Sequence, residues 1–404
     1  MTTGHPKKSA LLVGSSYSAA PLLFALKKRG LHVAVCGNQK DDPCHQYADA
    51  SFYFDYSHKD DLLDQVRQNS FDFLVPSCND FAYLACSWAA HNCHFSGYDD
   101  WETALTLHTK DRFRDFCSKH DIPAPARHFY GSVEGDGTSL TPISYPVLVK
   151  PVDSFSGRGT TKVSEQHHLA AALRAARDAS RTGEAVVEEF VEGTLHSHSA
   201  FIQDRSIVWD GFVDEHCTVY PYQVNCSNYP SQLSDLLKDE VRQAMMRVVR
   251  GASLADGLLH TQFIASDSRF WIIEPMRRCP GDLYGRLIEE ATGLNYTDMY
   301  VAKFLGERYP EELRRFDTAR FMGRHTVSVS RSTISSGPSF KIPARRISFV
   351  PLKMSGERLD PAPFDKMGIA FIEFEDAETM FARVPHFADS VELDSLEETY
   401  GTHP

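Results

Sequence analysis

The stretch "WIIEPMRRCPGDLY", Trp271 to Tyr284, carries an apolar run that stops on Glu274 and is followed almost at once by Arg277 and Arg278. A short apolar run bounded by such punctuation reads as a buried strand. Its end therefore delivers one carboxylate and then two guanidiniums out of the core. The preceding run, "LLHTQFIAS", reads as a neighbouring strand and carries Gln262. Two oxygen donors on adjacent strands can face one site, and Mg²⁺ takes few protein oxygens beside phosphate oxygens and water.

Working outward, the 404 residues are 42% apolar, enough for a large core and, from length, for two or three domains. Net charge is −12 and basic residues form no long cluster, which argues against nucleic acid as a partner. Nine cysteines without a C-x-x-C pair fit neither a disulfide framework nor a zinc knuckle and read as reduced thiols, so a cytoplasmic location is expected. The first residues enter a strand without an apolar signal core, and no run reaches the ~18 apolar residues of a membrane span. A soluble protein without a membrane partner is expected.

The expected fold class is α/β. "ALLVG" (10–14), the turn "SSYS", a helix through Leu22, Leu23 and Leu26, Gly30 and the strand "HVAVC" form a βαβ unit. A second cycle follows, so residues 1–105 read as a Rossmann-like, parallel sheet. One Gly in the first loop does not make a dinucleotide fingerprint; loops Gly14–Ser18 and Ser77–Asp80 nevertheless lie where open sheets bind ligands. A helix over 106–120 carries Lys110 and is closed by "DIPAPA". Then come the strand "YPVLVKP" ending on Lys150, the loop "VDSFSGRG", the strand "TTKVS", a helix and the strand "AVVEEFVEG". Residues 316–404 read as a small strand-rich domain.

These pieces suit a nucleoside triphosphate. Lysines at structured positions, Lys110 and Lys150, act as fixed charges for phosphate. Gly157 and Gly159 let consecutive amides turn toward an anion, and Arg158 adds charge. "VVEEFVEG" offers an apolar slot with carboxylates to a purine, and Glu274 with Gln262 offers metal oxygens. Each alone is as easily an ordinary surface feature; their order along the chain is the signal.

The constellation resembles the ATP-grasp superfamily of carboxylate–amine ligases over roughly residues 105–300. The resemblance implies a Rossmann-like domain (1–105), an ATP-grasp domain (106–315) with a lid subdomain at about 122–187 and a C-terminal mixed sheet, and the strand-rich region after it. It implies ATP and Mg²⁺ as cofactors, with Lys110 and Lys150 on phosphates, Ser156, Gly157, Arg158 and Gly159 in a closing loop, and Glu188, Phe190 and Val191 around adenine. Ribose would fall to Glu192 or His196, since Leu195 and His196 stand where an acid is usual. Glu274 and Gln262 would hold metal, and Arg278, with Arg277 less certain, would meet the reacting carboxylate or phosphate. The closing motif keeps Glu and Arg but has Met276 where Asn is usual, and Gln262 stands where an acid is common. Asp282 is expected to cap a helix. The implied reaction activates a carboxylate as an acyl phosphate and forms an amide, with an amino acid as the amine. The implied partners are small-molecule acid and amine substrates, with a homodimer as an option because related enzymes often pair. A nucleotide-binding regulatory protein and a phosphotransferase stay open as alternatives, motivated by Gln262 and Met276.

Overall fold

A computed structural model describes residues 7–132, 143–153, 157–313 and 319–396. Its first layer is a four-stranded parallel sheet in the order Ala50–Phe52, His32–Cys36, Ser9–Val13, Phe73–Pro76. The central strand, Ala10 to Val13, is fully buried, as expected of a run covered on both faces by helices. Val13 lies opposite both Cys36 and Pro76, which sets the loops after Val13 and Pro76 side by side. Gly14 makes that approach possible: its φ is +110° and a Cβ there would sit 2.0 Å from Ser77 Oγ.

The lid is a second, antiparallel four-stranded sheet, ordered Arg127–Ser132, Glu184–Glu189, Val147–Pro151, Thr161–Val163. Val147, Val149, Ala185 and Val187 pack beneath helix Leu169–Ala179, whose buried Leu169, Ala172, Leu173 and Ala176 follow the helical repeat. Strand alternation puts Leu148, Lys150, Val186 and Glu188 on the other face.

The third sheet has eight strands and crosses the expected domain boundary. Its order is Phe270–Met276, Gly257–Ala265, Thr194–Gln203, Ser206–His216, Cys226–Tyr229, Phe321–Val327, Gly368–Phe374, Arg346–Pro351. The C-terminal region is strand-rich as expected, but three of its strands extend the central sheet instead of closing a separate body. "CSNY", Cys226–Tyr229, is the strand that makes the join. Ile202, Phe212, Leu259, Phe263 and Ile272 bury one face against helix Asp235–Gly251, and Phe201, Val213 and Leu258 bury the other against helices Tyr284–Thr292 and Tyr296–Phe304. Among the described residues no helix is long and apolar enough to cross a membrane.

His325, next to Arg324 on the joining sheet, faces Cys226 (Nδ1 to Sγ 3.1 Å) and packs at a tilt against Phe387. Burial pushes its imidazole down to about 4. Because the unfolded histidine titrates near 6.5, the unfolded chain binds more protons between these values. This contribution to stability is complete above pH 6.5 and is lost as pH falls toward 4, by up to about 3 kcal/mol. Urea midpoints measured from pH 7.5 to 4 are expected to fall, and to fall less steeply in His325→Gln; equal slopes would refute the assignment.

Candidate active site

The region expected as one helix over 106–120 is two, Trp101–His108 and Lys110–Lys119, broken at the extended Thr109. The break places Lys110 at the start of the second helix, where the local dipole disfavours a cation. Its ammonium instead donates to the carbonyls of Pro151 (3.3 Å) and Val152 (3.0 Å) at the end of the lid strand. Its enclosure pushes the ammonium below its ordinary range, and Glu274 is the chief opposing influence, with Glu188 and Asp80 beside it and Lys150 adding to the depression. Lys110, Lys150 and Glu274, from three distant segments, thus share one electrostatic neighbourhood.

Glu188 is a correction. It does not frame a purine, because its buried side chain, 1% exposed, is held by Lys150 Nζ (2.5 Å) and Arg114 Nε (2.9 Å). Burial favours its neutral form, but the two cations win and hold the carboxyl down at about 2. Glu188 therefore positions the lysine. Glu189 Oε2 accepts from Ala126 N (3.2 Å), the Phe190 ring lies under Lys162 Nζ (3.8 Å), Val191 is buried and Glu192 is exposed. These four residues form the turn from the lid back into the large sheet, leaving Phe190, Val191 and Glu192 free of any observation against their expected roles.

His196 is a second correction. Its Nδ1 is 2.8 Å from Asp214 and its Nε2 is 2.6 Å from Thr194 Oγ1, while the ring stacks on Phe263. Asp214 also accepts from Asn228, Gln232 N and Ser231. Both ring nitrogens are used on the face packed against the core, so no ribose contact is left to it.

The closing loop falls partly outside the described residues, which include neither Ser154 nor Ser156. Gly157 and Gly159 have φ of +69° and +70°, and a Cβ at Gly157 would meet Pro221 O at 2.7 Å. The loop thus rests on the 217–225 segment. Arg158 lies over the Phe364 ring (5.4 Å), and Arg181, on the lid's far turn, lies over Phe81 (4.5 Å). The lid touches both flanking regions.

The two arginines that follow Glu274 diverge. Arg277 is a third correction: its side chain is 2% exposed, and its nitrogens donate to Asp99 (2.7 Å), Leu258 O (2.5 Å) and Ala255 O (2.6 Å). It ties the sheet to the N-terminal layer and does not reach the cleft. Arg278 is 14% exposed and forks onto Asp80 through Nε (3.2 Å) and Nη2 (2.8 Å). Burial opposes charge on both partners, yet their pairing holds the guanidinium well above and Asp80 well below their ordinary ranges. His108 Nδ1 is 2.9 Å from Asp80, while its Nε2 accepts from Arg277 N (3.3 Å), which fixes the tautomer that donates to Asp80.

Gln262 lies directly opposite Glu274 in the antiparallel register, so both side chains project from one face. On the same face, strand by strand, come Ser197, Glu215, Ser227 and Arg324. Glu215 Oε2 accepts from Gln262 Nε2 (2.7 Å). Burial pushes the Glu215 carboxyl up, opposed by Arg324, Ser197 and Gln262. Buried Arg324 donates to Ser227 Oγ (2.8 Å) and Asp282 O (3.1 Å), and its Nε has no partner among the described residues. Among the described residues no three His, Cys, Asp or Glu side chains could hold a metal unaided. Glu274 and the amide oxygen that Gln262 leaves free nevertheless fit a cation whose other ligands are phosphate oxygens and water.

Asp282 does not cap the helix that follows, which is the fourth correction. Asp282 and Leu283 both have φ of +52°, an uncommon left-handed pair of non-glycine residues. Asp282 instead accepts from Tyr17 Oη (2.6 Å), Lys366 Nζ (2.5 Å) and Thr326 Oγ1 (3.3 Å), joining the first loop to the C-terminal region at the mouth of the site. Sequence reading reached Asp80 only as the end of the Ser77–Asp80 loop and missed Glu215 and Arg324. The available signal was a charged residue embedded in, or placed just beyond, an apolar strand.

Residues 110–306 match the family described as "Carbamoyl-phosphate synthase L chain, ATP binding domain". The chain is 28% identical over 242 residues to the formate-dependent phosphoribosylglycinamide formyltransferase of Prochlorococcus marinus (strain MIT 9303), covering 59% of this chain and 60% of that protein. With the same-named protein of Synechococcus sp. (strain WH7803) it shares 27% identity over 402 residues, 97% and 99% of the two chains. Among solved structures, an L-amino acid ligase from Bacillus licheniformis superposes with a TM-score of 0.77 at 16% identity, covering 97% of this chain and all (100%) of that one. A phosphoribosylglycinamide synthetase from Anaerococcus prevotii gives 0.74 at 16%, covering 96% and 99%. At these identities the structural matches establish the fold.

Proposed function

We propose that this chain is a member of the ATP-grasp superfamily and, from that premise, an ATP-dependent carboxylate–amine ligase that releases ADP and phosphate. The observation that carries the reading is the shared electrostatic neighbourhood of Lys110, Lys150, Glu274 and Arg278, drawn from three separated segments, with Lys110 bonded to the lid strand that carries Lys150. Lys110 and Lys150 bind the phosphates of ATP as point charges. Arg278, with Arg324 on the opposite side of the polar row, neutralises the substrate carboxylate as its oxygen takes the γ-phosphoryl group and ADP departs. The amine then attacks the acyl carbon and phosphate leaves. No enzyme nucleophile is required; Cys279 is buried and its thiol is pushed well above its ordinary range, chiefly by the Cys78 thiol and by burial. Glu274 and Gln262 would hold Mg²⁺, which would supply charge screening for the triphosphate. The lid contacts keep water from the acyl phosphate.

For the finer assignment, the amine is an amino acid. An amino acid is the substrate named by the L-amino acid ligase that shares the fold, while the relatives more similar in sequence are phosphoribosylglycinamide formyltransferases, so phosphoribosylglycinamide is the competing amine in the test. The test is to incubate the full chain with ATP, Mg²⁺, and pools of acids and amino acids, following ADP, free phosphate and new amide by mass. Phosphate release that requires both acid and amine, and is lost in Glu274→Ala, is the expected result. ADP without free phosphate would instead indicate phosphoryl transfer to a stable acceptor, and ATP binding without turnover across broad pools would indicate a regulatory nucleotide binder, the reading that Gln262 and Met276 favour.

A further inference from the structure

The face that carries Glu274 has an amide, Gln262, at the position directly opposite it. A site facing a divalent cation and a triphosphate gains from negative charge, and one carboxylate beside one neutral amide supplies little of it. Two strands away from Gln262, across Thr194–Gln203, stands Glu215, 4% exposed. Its carboxylate reaches over the intervening strand to accept from Gln262 Nε2 at 2.7 Å. An amide has one donor end and one acceptor end. Engaging the donor end fixes the other, so Gln262 Oε1 is turned away from Glu215 as a preset oxygen donor. The hydrogen bond also polarises the amide, raising electron density on Oε1.

We propose that Glu215 is a positioning residue for the cation site, supplying through Gln262 the orientation and negative charge that a carboxylate at position 262 would supply directly. The assignment rests on the ligase reading and deepens it. The charge is moved from the strand Gly257–Ala265 to the strand Ser206–His216, with the amide as the link between them. Ser197 and Arg324 set the same carboxylate from the other sides.

The test uses the full-length chain, ADP, and Mn²⁺ as a paramagnetic probe. Free Mn²⁺ is measured by electron paramagnetic resonance in the presence of ADP, and metal-free ADP binding is measured by calorimetry in EDTA. Glu215→Gln is expected to weaken Mn²⁺ binding about 10–100-fold, the usual effect of removing a group that orients a metal ligand, while metal-free ADP affinity stays within about twofold. Adding Gln262→Glu to that variant restores Mn²⁺ affinity, because the charge returns by the direct route. Gln262→Leu, which breaks the link without altering Glu215, is expected to lose as much as Glu215→Gln and serves if the latter does not fold. Unchanged Mn²⁺ affinity in Glu215→Gln or Gln262→Leu, an equal loss of metal-free ADP binding, or no recovery in the double variant would each overturn the proposal. A wild-type chain that binds ADP neither with nor without Mn²⁺ would sink the ligase reading itself, so the two failures are distinguishable.

Discussion

Arg278→Lys is expected to lower kcat/KM by about 10²–10³-fold, the range seen when a preorganised donor to a developing charge is removed, with kcat taking most of the loss and ADP affinity little changed. The reason is geometric. Two nitrogens of the guanidinium are committed to Asp80, at 3.2 and 2.8 Å, and Nη1 donates at 3.4 Å to Cys279 O, so the fork is held firmly by one edge and only loosely on the other, where a substrate oxygen would replace that contact. An ammonium has no second edge. Bonded to Asp80 it retreats from the reacting oxygen, and extended into the cleft it leaves Asp80 with His108 alone. Asp80→Asn should give a smaller defect of the same kind, because it loosens the fork without removing it. Steady-state rates for both variants decide the matter: a lysine enzyme within threefold of wild type would mean that Arg278 serves only to clasp the N-terminal layer.

Lys150→Met has the second large effect, and it divides into two parts that can be separated. Glu188 is shared between Lys150 and Arg114 in a nearly water-free setting. Removing Lys150 leaves the buried Glu188 carboxylate to Arg114 alone, which costs less than the ~3–5 kcal/mol of a fully unpaired buried charge but still lowers stability. The other part is functional, since the donors of Lys150 not used by Glu188 are the ones available to phosphate. Lys150→Met is therefore expected to lower the urea midpoint and to weaken ADP binding together. Lys150→Gln, which keeps a neutral donor beside Glu188 while Arg114 stays paired, should recover most of the stability and none of the affinity. Recovery of both, seen by urea titration and calorimetry on the same samples, would contradict a phosphate role for this lysine.

How much of this was legible in the sequence depended on where each residue stood along its element. Lys110, Lys150, Glu274 and Arg278 stood out because each lies at, or within two residues of, the start or the end of a regular element, the place where a chain emerges from its core. Arg277 could not be told from Arg278, since two adjacent side chains at a strand end point in opposite directions and only the third dimension says which direction meets Asp99. Glu188 was misread for a related reason. Its face is set by the register that places Leu148 opposite it and Lys150 two residues away, and register between strands separated by a helix is not written in either strand alone. His196 failed similarly, because its partner Asp214 comes from the next strand. Glu215 and Arg324 were passed over because a charged residue inside an apolar strand was given less weight than one at its end. The parallel first sheet was plain from its βαβ rhythm, whereas the fusion of the last strands to the central sheet depends on the short strand "CSNY", which has too little periodicity to announce itself.

That fusion bears on how the protein can change. Arg324 stands in the row of cleft residues only because Phe321–Val327 is hydrogen-bonded to Cys226–Tyr229. A chain cut near residue 315 would lose this guanidinium and bare a strand whose N–H and C=O groups now have partners, inviting edge-to-edge association. The tail is thus not an interchangeable module: its ancestry and that of the catalytic half are stitched together, and drift in one must be answered in the other.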